Sequence, residues 1–349
     1  MGNNVKNKAI RGGRSLEIDI IKGISIMLVL WGHAIQNLSP TDSYYSDWIF
    51  KTIYAFHMPL FALINGYLFY PSQKKRNFVE TVRSRITGLL IPILVWTTMD
   101  WILGSALHRK IVLREWLDVF TGNMLWFLWS IFAANFALII AEKWTKSWWT
   151  KIVCLMIGFM AMYVFPNAEL NLFLYPYVVL GFYYKKHTES SFTVKKYGCI
   201  CILIFLVLLP LYNETSFIYT TGISIWKSNV TVKTHILIDL YRYVIGLVGS
   251  VSVIYMVYVL SGKFKTLDNM LSKCGQYTMQ IYVVQCFFFK IFGIVWKRIG
   301  FRNSSVLLSI VIRDIIIAIP FCLSLLAIIL GVSILFKRYK IINKVLFGR

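Results

Sequence analysis

The chain has 349 residues, of which 58% are hydrophobic and 15% charged, and its mean hydropathy is +0.64, values that exclude a soluble globular domain of this length. A formal net charge of +22 would suit a nucleic-acid binder, but the 37 lysines and arginines are spread through alternate loops instead of gathered on one domain. The charge is therefore read as topogenic, with the lipid bilayer as partner and no nucleic acid.

The expected fold is all-α, a polytopic integral membrane protein with about ten transmembrane helices. They are placed near 18–36, 48–70, 86–106, 122–141, 148–165, 169–184, 196–212, 236–260, 271–294 and 306–336. Each has about the twenty residues that crossing ~30 Å of hydrocarbon requires. A single membrane domain covers 1–349, with an N-terminal segment at 1–17 and a basic tail at 337–349. Placing the N-terminus in the cytoplasm puts most of the basic residues there, among them Lys74, Lys75, Arg76, Lys185, Lys186 and the tail. The positive-inside rule then predicts a multi-pass protein of an inner or plasma membrane with both termini cytoplasmic. Lys6, Lys8, Arg11 and Arg14 precede the first span as they would in a signal peptide, but no small-residue cleavage site follows. It is read as a retained anchor. The six cysteines form no CxxC pair and show no Cys/His ligand spacing, so neither a disulfide framework nor a metal site is expected.

Within the first span Asp19, Lys22 and His33 interrupt an apolar run. Ionisable groups in hydrocarbon cost roughly 2.5 to 3.5 kcal/mol on insertion scales, so they face a bundle interior or an aqueous cavity. At ~100° and ~1.5 Å per residue, Lys22 and His33 share one helix face about 16 Å apart, with Asp19 one turn earlier. The second span carries His57, Pro59 and Asn65. A proline there bends the helix and frees a carbonyl, which suits a cavity wall. His57 lies ~13 Å from the start of its span, near the level His33 reaches from the other direction. A lone histidine at such a depth also fits an interhelical hydrogen bond.

Arg83 and Arg85 open the third span on the same side as Lys22. They read either as positive-inside anchors or as a phosphate clamp, since a guanidinium grips phosphate in bidentate fashion. Trp126-Phe127-Leu128 and Tyr175-Pro176-Tyr177 fit packing or interfacial roles as well as they fit roles in a site. Tyr277, Tyr282 and Gln285 form a polar set in the ninth span, and Arg313 and Asp314 are placed to neutralise each other or neighbours.

Five segments together carry a family resemblance: DIIKGISIMLVLWGH, FHMPLFALINGYLF, RSRITGLLIP, WFLWSIF and GQYTMQIYVVQ. In this order, over nearly the whole chain, they resemble the membrane-bound acyltransferase-3 family, most closely its fucose 4-O-acetylase-like branch. The resemblance implies an O-acyltransferase that moves an acyl group, usually acetyl, from cytoplasmic acyl-CoA to a hydroxyl of a cell-surface or lipid-linked glycan. It matches the family's histidine to His33, its basic partner to Lys22, its aspartate to Asp19 and its arginine to Arg85, with Arg83 close by. Because acyl transfer needs a base near the hydroxyl, His33 is expected to be the general base, or else a transient acyl carrier, with His57 as its neighbour, Asp19 holding Lys22, and Lys22, Arg83 and Arg85 receiving the phosphates of acetyl-CoA. Lys22 stands where much of the family has arginine, and Gln285 where many members have histidine, so no direct acid/base role is expected of Gln285. The rival readings are a secondary transporter or flippase with a proton relay through His33, Asp19 and Lys22, and a non-catalytic membrane sensor of the same fold.

Overall fold

A computed structural model describes residues 10–11, 14–39, 42–108, 113–120, 125–188, 196–223, 231–299, 310–336 and 338–348. Positions 1–9 and 12–13 of the N-terminal segment, 122–124 and 306–309 of two expected spans, and 337 and 349 of the tail lie outside the described residues. The fold is all-helical as expected, apart from a two-residue antiparallel pairing of Ile10–Arg11 with Arg14–Ser15.

In chain order the helices are α1 (Leu16–Leu38), α2 (Trp48–Lys74), α3 (Phe78–Arg85), α4 (Ile91–His108), α5 (Leu113–Phe120), α6 (Trp126–Trp144), α7 (Trp148–Ala161) and α8 (Ala168–His187). They continue as α9 (Gly198–Leu208), α10 (Ile218–Thr221), α11 (Val232–Leu260), α12 (Lys265–Gln276), α13 (Thr278–Ile299), α14 (Ala318–Phe336) and α15 (Lys340–Phe347). Six segments among the described residues are long and apolar enough to cross a membrane: Leu16–Leu38, Trp48–Lys74, Phe78–Ala106, Trp126–Trp144, Val232–Leu260 and Ile312–Phe336. The expected count of about ten is thus reached only in part. Trp148–Val164, Gly198–Leu211 and Thr278–Gly293 are apolar but shorter. The expected 169–184 span lies on α8, which carries Glu169 at one end and Lys185, Lys186 and His187 at the other. That helix packs along α2 and buries much of its length, so its outer surface is not what keeps it among its neighbours.

Two boundaries differ from expectation for a physical reason. The third span begins earlier, at Phe78, where Asn77 and Glu80 form a reciprocal capping box. It then widens into a π turn over Ile86–Leu90. Pro92 has no N–H to offer the carbonyl four residues back and its ring crowds that carbonyl; the helix widens, and Ile91 N–H reaches the Ile86 carbonyl instead. The same device recurs ahead of Pro320, where a π turn over Ile312–Ile317 lets Ala318 N–H donate to the Arg313 carbonyl. Each π turn thus sits beside a cavity-facing or buried arginine.

The expected 271–294 span is instead two helices. α12 ends at Gln276 and α13 starts at Thr278, because α12 is committed to α1. A Cβ on Gly275 would stand 1.8 Å from the Asp19 carbonyl oxygen, and one on Gly23 would stand 2.0 Å from that of Leu271. Backbone meets backbone here, and small residues at such crossings are what permit close helix packing without a hydrophobic drive. Gly275→Ala is expected to lower the unfolding midpoint in detergent, at a cost of about 1–3 kcal/mol for overpacking. Gly331→Ala, whose Cβ would meet nothing within 4 Å, should leave the midpoint unchanged.

Candidate functional site

The first turns of α1 hold Asp19 and Lys22 against α12, with Lys22 Nζ 3.7 Å from Asp19 Oδ1. Carboxylates in the first turn of a helix, here Glu17 and Asp19, also suit its positive end. Lys22 lines a cavity of about 290 Å³ that runs inward between α1, α2, α6 and α13. Arg85 and Ser84 from the π-turn region, Asn65 from α2, and Phe347 and Gly348 from the end of the chain surround the same space. Its inner end is apolar, formed by Val29, Met58, Phe61, Phe127 and Tyr282.

Arg85 lies 5.1 Å from the Phe69 ring centroid in a cation–π arrangement, and its Nε has no hydrogen-bond partner among the described residues. Burying an unpaired guanidinium N–H is costly, so an anionic group in the cavity has a ready donor there. The Asn65 side-chain oxygen is likewise unpartnered among the described residues. Arg83, two residues before Arg85, is exposed and does not line the cavity.

Both histidines lie beyond the inner end. His33 is one turn past Val29 on α1 and does not itself line the cavity. Its Nδ1 is 3.2 Å from Gln285 Oε1, and its ring meets Phe289 edge-on at 5.9 Å. An amide oxygen only accepts, so Nδ1 carries the proton and Nε2 is left with the lone pair. The other face of that amide is turned toward the Cys286 sulfur, 3.8 Å away. Gln285 therefore orients His33. His57 is buried and its Nδ1 donates to the Ile53 carbonyl at 2.7 Å, which leaves its Nε2 unprotonated as well. The two imidazoles are within electrostatic reach of each other.

The structure thus gathers Asp19, Lys22 and Arg85 at one end of a cavity and His33 and His57 past the other, while Arg83 stands outside. Tyr282 joins the cavity wall and Gln285 the histidine, so the polar set expected in α13 divides between the two. Arg313 and Asp314 do neutralise each other, with Asp47 as a third member. Sequence reasoning missed the pairing of Lys290 with Asp100, 2.6 Å apart, and the role of Arg242 in α11. A lysine or arginine in an apolar run signals each of them, but the partners are 190 and about 20–27 residues away in the chain. Among the described residues no group of three His, Cys, Asp or Glu side chains stands close enough to hold a metal ion.

Comparison with known proteins adds a family. The acyltransferase-3 family, described as an acyltransferase domain, matches residues 15–338. The nodulation protein NolL of Mesorhizobium japonicum is 33% identical over 177 residues, 48% of this chain and 47% of that protein. The nodulation protein NolL of Sinorhizobium fredii is 30% identical over 211 residues, 54% of this chain and 57% of that protein. The chain thus matches about half the length of these relatives. No solved structure matches it.

Proposed function

Because the chain belongs to the acyltransferase-3 family, we propose that it is a multi-pass membrane O-acyltransferase that moves an acyl group, acetyl in the first instance, from acyl-CoA to a hydroxyl of a cell-surface or lipid-linked glycan. The observation that carries this reading is the cavity that runs from Lys22 and Arg85 to the threshold of His33 and His57. Cationic groups at one end suit CoA phosphates, and an apolar inner end suits the pantetheine arm and its acyl group. The ~16 Å between Lys22 and His33 along α1 sets the phosphates and the thioester apart. Only part of CoA fits within about 290 Å³, so the nucleotide stays at the mouth, where exposed Arg83 can reach it. Under this reading the basic end of the bundle faces the cytoplasm, the source of acyl-CoA.

His33 Nε2 takes the proton of the sugar hydroxyl as its oxygen attacks the thioester carbonyl. The tetrahedral oxyanion collapses, the C–S bond breaks, and the departing CoA thiolate recovers the proton from the imidazolium. An imidazole, which accepts a proton at one nitrogen while the other is held by a hydrogen bond, suits both transfers. Gln285 keeps Nε2 aimed at the reaction by holding Nδ1–H. Tyr282, in the wall at the inner end, brings a hydroxyl of the kind that stabilises an oxyanion. His57, with its own Nε2 lone pair, accepts a hydrogen bond from a second hydroxyl of the same sugar.

The test uses purified protein in nanodiscs with radiolabelled acetyl-CoA and a panel of glycosides. Label recovered on a glycoside, with one CoA thiol released per transfer, supports the reading. Glycoside movement across proteoliposomes with no thiol release would instead favour a transporter. Lys22→Gln and Arg85→Gln are each expected to raise the KM for acetyl-CoA about tenfold, equivalent to ~1.4 kcal/mol of lost binding, with kcat little changed. Arg83→Gln, at the exposed position, should do less.

A further inference from the structure

On the far side of Met58 from the donor cavity lies a second, smaller pocket of about 30 Å³. Met58 lines both. His57 forms part of the floor, with Trp126 and Phe173 beside it. The roof is a short strap over residues 213–223 that includes α10, with Ser216 and Phe217 buried on its inner side and Tyr219 exposed at the rim. From the rim an aromatic series leads to the histidine: Tyr219 meets Tyr54 at 6.5 Å between centroids, and Tyr54 meets His57 at 4.7 Å.

The strap is held by one buried arginine. Arg242 Nε donates to the Ser216 carbonyl at 2.8 Å, and its two terminal nitrogens donate to the carbonyls of Thr215, Phe217 and Gly222 at 2.5–3.0 Å. Asp239 Oδ1 accepts from Arg242 at 2.8 Å and its other oxygen sits 3.1 Å from His235 Nδ1. Ile223 N–H donates to Glu169 at 2.5 Å, fixing the strap's end to α8. A guanidinium used in this way freezes four carbonyls that an unsupported loop would leave to water. The chain therefore holds a rigid roof over a space that nothing in the described residues fills.

We propose that this pocket is the acceptor subsite, distinct from the donor cavity and approached from the opposite end of the bundle. It takes one hydroxyl of a sugar ring, while the ring itself rests against Tyr219 at the rim. The volume decides the first point: about 30 Å³ holds a group the size of a water molecule and not a ring. The lining decides the second. Mostly aromatic walls with a few convergent polar groups suit a ligand with apolar ring faces and hydroxyl edges, and Tyr219 is 52% exposed, placed to meet a ligand from outside. His57 Nε2 accepts from the bound hydroxyl and so sets which neighbouring hydroxyl is turned toward His33. The inference rests on the O-acyltransferase reading and adds no chemical step to it: the ester C–O bond forms and the thioester C–S bond breaks as before.

The experiment uses the full chain in nanodiscs, with acetyl-CoA as donor and methyl and dodecyl glycosides of common hexoses as acceptors. Tyr219→Ala is expected to raise the acceptor KM about tenfold without moving the KM for acetyl-CoA, the reverse of Lys22→Gln. Tyr219→Phe should recover most of the loss, because the ring and not the hydroxyl carries the contact. A Tyr219→Cys protein should react with a membrane-impermeant maleimide from the face opposite the basic end, and glycoside but not acetyl-CoA should slow that reaction. A larger effect with methyl than with dodecyl glycosides assigns the acceptor to a free glycan, and the opposite to a lipid-linked one; either outcome supports the subsite. If the wild type transfers acetyl to a glycoside while Tyr219→Ala leaves the acceptor KM unchanged and glycoside gives no protection, the subsite is overturned and the enzymatic reading stands. Failure of the wild type to acylate any glycoside overturns both.

Discussion

Purified His33→Ala protein is expected to fold, to bind acetyl-CoA as the wild type does, and to lose acyl transfer by about 10²- to 10⁴-fold, the range a positioned general base contributes. Donor binding should survive because His33 does not line the cavity between Lys22 and Met58. The loss should fall on kcat, because the imidazole acts on the proton of the acceptor and not on the CoA phosphates. Among the described residues it has one side-chain hydrogen bond, to Gln285, and an edge contact with Phe289, while its backbone carbonyl accepts from Asn37 Nδ2 at 2.8 Å. Truncation at the β-carbon removes the first two and leaves the third, which is why the fold should persist. Single-turnover transfer with labelled acetyl-CoA, beside calorimetric titration of the donor, separates the two effects. Transfer by His33→Ala at the wild-type rate, with wild-type folding, would falsify the base assignment.

Arg313→Ala should be the most damaging substitution for stability, at about 3–5 kcal/mol, the usual cost of leaving a buried charge without its partner. Arg313 is 2% exposed and is clamped between two carboxylates. Its Nε donates to Asp314 Oδ1 at 2.5 Å and its terminal nitrogen to Asp314 Oδ2 at 3.0 Å and to Asp47 Oδ2. Asp47 simultaneously caps α2, where its Oδ1 accepts from Ile49 N–H at 2.8 Å. Asp314 lies in the π turn that precedes Pro320. Its carbonyl is passed over when Ala318 N–H turns to Arg313, and the Trp31 indole donates to it at 2.8 Å instead. One guanidinium thus ties the start of α2 to the π turn ahead of α14, and its removal leaves two carboxyl groups facing each other in a low-dielectric interior. The measurement is the unfolding midpoint in detergent. The triple variant Arg313→Ala, Asp47→Asn, Asp314→Asn should recover much of the loss, since it removes the orphaned charges and asparagine still caps a helix. An Arg313→Ala midpoint equal to the wild type would show that the cluster contributes nothing.

A membrane fold and a polar stripe on its first helix were legible in residues 16–38, because burial of charge in hydrocarbon is costly enough for three ionisable side chains to stand out against their neighbours. The shared face of Asp19, Lys22 and His33 follows from spacing along one helix, which ~100° and ~1.5 Å per residue make computable. The family could also be read from five short segments, and it proved right over residues 15–338.

Packing between helices determined the rest. Tyr277 breaks the expected ninth span because Gly275 and Gly23 bring the backbones of α12 and α1 into contact, a pairing between residues about 250 positions apart that no local pattern announces. Arg83 and Arg85 look alike as neighbours in a basic cluster, yet the π turn imposed by Pro92 follows immediately, and only Arg85 turns into the cavity. Gln285 gains its meaning from a histidine 252 residues away, and Met58 gains its own from lining two cavities. Side-chain chemistry and helical period are properties of a short stretch of chain and can be read there; which faces meet, and what space they leave between them, depends on the close packing of all the helices at once.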